Sequence, residues 1–159
     1  MISILALAMV AAMTDQPAGW SVTESVGATG ATDTRAALSS LDGQALVLRC
    51  QGDNKLVTIQ YLPGADLGPP GKLSVMMRFD KAGTVSGRWT RDGRSVSATD
   101  TKDVSDFARR ALKSSRLMMN TEDSKRQPVG ANFVLAGAQA PISKVFAACG
   151  YPDPAAPKS

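Results

Sequence analysis

The sequence predicts an α+β, β-rich domain: a mostly antiparallel meander, sandwich or partly open barrel, with two short helices and one disulfide. Three observations carry this. Short runs that are apolar, or that alternate apolar and polar residues, recur between clusters of Gly, Pro, Asp and Asn. Two segments, 104–112 and 141–149, instead repeat apolar residues at helical spacing. Cys50 and Cys149 stand alone, with no CxxC and no histidine anywhere in the chain. Such an isolated pair is the pattern of a structural bridge in an oxidising compartment.

The elements follow in order. Residues 1–12 are uncharged and almost wholly apolar, too short a run to cross a bilayer as a helix. They read as a signal peptide, with small residues Ala11 and Ala12 before a mature start near Met13. No transmembrane span is expected in the mature form, and the expected location is periplasmic or secreted. A single domain is expected over 20–150. Trp20 to Glu24 alternates as a half-buried strand should, and Ser25 to Thr32 reads as a loop. Thr34 to Ser40 is a weaker strand. Ala45–Cys50 and Leu56–Leu62 flank the turn composition Gln51–Lys55 and form a hairpin, its first arm central in the sheet.

Pro63 to Gly71 is a loop. Leu73, Val75, Met77 and Phe79 then alternate with Ser74, Met76 and Arg78, giving a strand with one apolar face. Turns at Asp80–Gly83 and Asp92–Gly93 make 72–99 a meander. A helix carries Val104, Phe107, Ala108, Ala111 and Leu112 on one face, with Thr101 or Asp103 as its cap. Strands follow at 116–120 and 132–136, joined by the polar stretch 121–130. The last helix, 141–149, places Ile142, Val145, Phe146 and Cys149 together and ends at Gly150. The bridge should therefore pin this helix onto the sheet. Residues 151–159 are a Pro/Ala tail, expected to be flexible.

A length of 159 residues with 43% hydrophobic and 20% charged residues suits one globular domain. Aromatics make up only 5%, so the core rests on Leu, Val, Ile, Met and Ala. The formal charge of +4 is modest, and nucleic acid is not an expected partner. Lack of histidine removes the usual general base, the Ser–His and Cys–His pairs and the commonest metal ligand. Ser143–Lys144 and Lys113–Ser114 are sequence neighbours whose side chains diverge on a helix. Asp100 and Asp103 flank a helix start, where capping explains them. The glycines of 64–71 precede no Gly-Lys-Ser/Thr. No catalytic residue, cofactor or metal is expected, and the chain does not read as an enzyme.

One basic group remains. Arg78 and Arg88 should point away from the apolar face, with Arg91 and Arg94 close by in the meander. Arg78, Asp80, Arg88 and Trp89 are the candidate interaction surface. Its partner would be an envelope or secretion-machine protein, or peptidoglycan. The plainer reading is a solvated sheet face paired locally with Asp80 or Asp92.

Several short segments occur in a telling order: Trp20-Ser-Val, Leu-Val-Leu-Arg49-Cys50, Val-Met-Met-Arg78-Phe79-Asp80 and Ser-Gly-Arg-Trp89. The Phe107…Leu112 helix, Phe133-Val-Leu-Ala-Gly137 and Ala-Ala-Cys149-Gly follow. In this order the chain resembles periplasmic accessory proteins of type VI secretion systems (the VasI/TagO-like group). More loosely, it resembles the invasion-associated locus B exported proteins. The chain departs from the pattern in its uncharged leader and its Gly/Pro-rich loop at 63–71. The resemblance implies a non-enzymatic accessory or binding role at the bacterial envelope and brings no catalytic motif. The alternative is an inhibitor of a cell-wall hydrolase such as lysozyme, by analogy of fold.

Overall fold

Strands form where the alternation predicts them. In the computed structural model, which describes residues 19–157, they are β1 (Trp20–Val26), β2 (Thr32–Ser39), β3 (Ala45–Gln51), β4 (Leu56–Leu62), β5 (Gly71–Phe79), β6 (Val85–Asp92) and β7 (Ser95–Ala98). Helix α1 (Thr101–Leu112), strands β8 (Arg116–Glu122) and β9 (Pro128–Val134) and helix α2 (Gln139–Ala148) complete the chain. The expected signal peptide and its cleavage point lie outside the described residues.

All nine strands join one antiparallel sheet in the order β1-β2-β3-β4-β7-β6-β5-β8-β9. The first four run as successive hairpins. The loop after β4 carries the chain past two strand positions. The β5–β7 meander then folds back, and β7 closes against β4 through Ile59↔Ala98 and Tyr61↔Val96. Helix α1 returns the chain to the far side of β5, where β8 and β9 pair.

The sheet is open but strongly curled. Five strand-to-strand steps separate β4 from β9, which in a flat sheet would span roughly 24 Å at about 4.8 Å per step. Yet Tyr61 on β4 and Phe133 on β9 meet edge to face, with ring centroids 6.1 Å apart. The inner faces of both halves therefore share one core, which also takes Val104, Phe107 and Ala111 from α1 and Ile142, Val145 and Phe146 from α2. Cys50 of β3 and Cys149, just after α2, are bonded, their Cα atoms 5.6 Å apart. The bond clamps α2 over β1, β2 and β3.

Boundaries differ from expectation for local reasons. Of the residues expected to cap α1, Asp100 does so and Thr101 and Asp103 do not, the Asp100 carboxylate accepting from the Lys102 and Asp103 amides. The β8–β9 turn is shorter than the polar stretch 121–130, because the Asp123 carboxylate accepts from the amides of Lys125 and Gln127 at 2.8 Å each. Strand β9 thus starts at Pro128, a residue that needs no donor at a sheet edge. The segment after α2 is anchored instead of fraying at once. Tyr151 stacks edge-on against Phe146 at 5.8 Å, Ser143 Oγ donates to Asp153 at 3.0 Å, and Pro154 is buried.

Candidate interaction surface

The period-two alternation of β5 and β8 sends Phe79, Met77, Leu117 and Met119 inward and leaves Arg78 and Arg116 outside. Cross-strand register then lines up Arg78, Met118 and Asn132 on the outer face of β5, β8 and β9. Lys81 in the β5–β6 turn joins them. Together with Ser115 and Asp80 these residues line a depression of about 600 Å³.

Asp80 is the depression's carboxylate, and it is already engaged. It occupies the left-handed region at φ 49°, which Asp tolerates better than most residues. There it accepts hydrogen bonds from the Ser115 amide (3.0 and 3.1 Å) and the Arg116 amide (2.8 Å). Among the described residues Arg78, Lys81 and Arg116 make no ion pair. Three cations thus surround a concavity whose anion faces the backbone.

The other expected members of the surface separate. Arg88 is exposed, on the outer face of β6 opposite Ser74. Trp89 is not a surface residue: it is 3% exposed and packs edge-on to Phe107 at 6.5 Å. Alternation explains the correction, since a residue next to an outward arginine must point inward. Gly87 makes room for the indole, whose Nε1 would lie 2.6 Å from any Cβ added there. Arg91 and Arg94 are structural. Arg91 donates to the carbonyls of Pro69 (2.6 Å) and Leu67 (3.0 Å), and Arg94 to that of Gly64 (3.3 Å), tying down the loop after β4. The expected pairing of the strip with Asp80 or Asp92 is not among the described ion pairs.

Lys81 and Arg116 were not singled out by the sequence. Arg116 opens a strand whose alternation is visible, but only the β5–β8 pairing brings it beside Arg78. A second cleft, about 310 Å³ between α1 and the β5–β6 hairpin, is lined by Arg88 and Arg110 and by Asp103 and Asp106, the last of which pairs with Arg109. Its charges balance, so it exerts no comparable pull on an anion. Elsewhere, Asp33 is held below the usual carboxylate range, first by the hydrogen bond from Arg49 and next by that from the Gly52 amide, with burial opposing both.

Fold and surface define a class: a β-rich domain built on one curled antiparallel sheet, with a disulfide-clamped helix and a basic outer depression. No family model matches the chain, and no curated protein matches it. Among solved structures, the crystal structure of invasion associated protein B from Bartonella henselae is similar in fold. The TM-score is 0.52 at 13% identity, over 80% of this chain and 92% of that one. This supports the locus B side of the resemblance, at the level of fold. The type VI secretion side gains no support from it.

Proposed function

We propose that the protein is an exported, non-enzymatic binding or accessory protein of the bacterial envelope, which meets an anionic partner through its basic outer face. The carrying observation is the trio Arg78, Lys81 and Arg116, unpaired among the described residues around a carboxylate that main-chain amides already occupy. Three converging cations repel one another and lower their energy when an anion joins them. Export is supported by the bridge between Cys50 and Cys149, since such bonds persist where the surroundings are oxidising. No helix among the described residues is long and apolar enough to cross a membrane. Service to a secretion machine is the finer form of this reading and rests on the sequence resemblance.

The test has two arms. Expressed in a Gram-negative host, the full chain should fractionate with the periplasm, with Cys50 and Cys149 resisting alkylation until reduced. The purified protein should bind anionic envelope material (sacculi or phosphatidylglycerol vesicles) or an acidic peptide. That binding should fall about tenfold or more on joint substitution Arg78→Glu, Lys81→Glu and Arg116→Glu, and weaken with salt. Cytosolic protein with free thiols, or binding indifferent to these charges, would overturn the proposal.

A further inference from the structure

The free edge of β9 lies beside the basic depression. Leu135 N donates to Ser115 O at 2.8 Å, which continues the register Arg116↔Val134 by one residue. Antiparallel pairing alternates, so the odd-numbered residues of β9 exchange hydrogen bonds with β8. The main-chain groups of Gly130, Asn132 and Val134 consequently point to the other side. Strand β9 ends the sheet, and no described strand takes those groups.

Just outside this edge, between β9 and the β2–β3 turn, lies a groove of about 420 Å³. Leu38 and Phe133, both core residues, contribute to its lining. Leu41 and Val134 on its walls are 89% and 57% exposed. Asp42 stands on the side of Leu41. Arg116 and Asn132 line both this groove and the basic depression, so the two are continuous.

We propose that this edge receives an extended acidic peptide, which adds to β9 as a further strand. Its inward side chains would be apolar and cover Leu41, which is 89% exposed. Its outward side chains would carry carboxylates that reach Arg116 and the depression shared with Arg78 and Lys81. Main-chain bonds to Asn132 and Val134 supply affinity, and the alternation supplies specificity. An anionic lipid surface would satisfy the cations but leave the edge groups unbonded, so the observations favour the peptide. This inference rests on the anion-binding reading of the basic face and narrows it.

The test uses the full chain and a capped peptide alternating Glu and Val. A second probe is the same peptide N-methylated at alternate residues, and a third carries Lys for Glu. Phosphatidylglycerol vesicles serve as the fourth. The Glu–Val peptide should bind, and N-methylation or Lys for Glu should each weaken it about tenfold or more. Asn132→Pro removes an outward amide at a sheet edge, where proline is tolerated, and should have the same effect without lowering the melting temperature by more than a few degrees. Equal binding of the N-methylated peptide would overturn strand addition while leaving the basic-face reading intact. So would binding of vesicles alone. If no anionic probe binds, both readings fail.

Discussion

Asp80 and Arg116 grip each other reciprocally: Asp80 N donates to Arg116 O at 2.9 Å, and Arg116 N donates to the Asp80 carboxylate at 2.8 Å. With the Ser115 amide also bound, the side chain ties the end of β5 to the start of β8. Asp80→Ala removes the acceptor and leaves the positive-φ backbone without the hydrogen bonds that compensate it. The expected loss is about 1–2 kcal/mol in urea unfolding, the usual cost of deleting a capping carboxylate. Asp80→Asn keeps an acceptor and tolerates the backbone, so it should lose less than half as much. Equal losses for the two would show that charge, not geometry, makes the clip.

The Cys50–Cys149 bond spans a sequence separation of 99 residues. In the chain-entropy account, closing such a loop stabilises the fold by about 4–5 kcal/mol, with measured values often smaller. The paired substitution Cys50→Ala with Cys149→Ala should therefore cost about 3–5 kcal/mol, because Cys50 is also fully buried. For a domain of this size that lowers the melting temperature by about 10 °C. Reducing agent should produce a similar drop in the native protein and none in the double variant.

Much of this architecture can be read from residues alone, because alternation and turn composition act locally. The β3–β4 hairpin, the β5–β7 meander, both helices and the cysteine bridge follow from patterns within about ten residues or from a cysteine count. Closure of β7 onto β4 and the curl that brings Tyr61 to Phe133 are not local, and no period in the sequence encodes them. The candidate surface divides in the same way. Outward Arg78 and Arg88 follow from alternation, which should equally have sent Trp89 inside. Arg116 beside Arg78 needed the β5–β8 pairing, and Asp80 reads as a partner for the arginine strip until the amides of Ser115 and Arg116 are placed.

Gly52 is required for space, not for its dihedral angles. A Cβ there would lie 2.4 Å from Thr32 O, 2.8 Å from its carbonyl carbon and 2.9 Å from its nitrogen, all of them backbone atoms. The Gly52 amide also donates to Asp33 at 2.7 Å, so the segment has little freedom to retreat. Gly52→Ala should cost about 2–3 kcal/mol, within the range for forced overpacking. Gly83→Ala, where nothing lies within 4 Å, should change stability by about 0.5 kcal/mol or less. Urea midpoints of the two variants check this contrast.

Tyr61 makes the fold sensitive to alkali. Its side chain is fully buried, and its hydroxyl has no hydrogen-bond partner among the described residues. Burial disfavours the phenolate and pushes the group up from 10.0 to about 12. The sign follows from proton counting. Between these values the unfolded chain has released the proton while the folded chain still holds it, so the unfolded state binds fewer protons and stability falls as pH rises. The contribution is complete below pH 10 and is lost on passing through 12. Two pH units correspond to about 2–3 kcal/mol. Tyr61→Phe keeps the ring against Phe133 but removes both the titration and the unmet hydroxyl. The variant should be more stable than the parent by about 1 kcal/mol near neutrality, with the gap widening as pH climbs above 10. Parallel denaturation curves for the two proteins across that range would show instead that burial does not disfavour the Tyr61 phenolate.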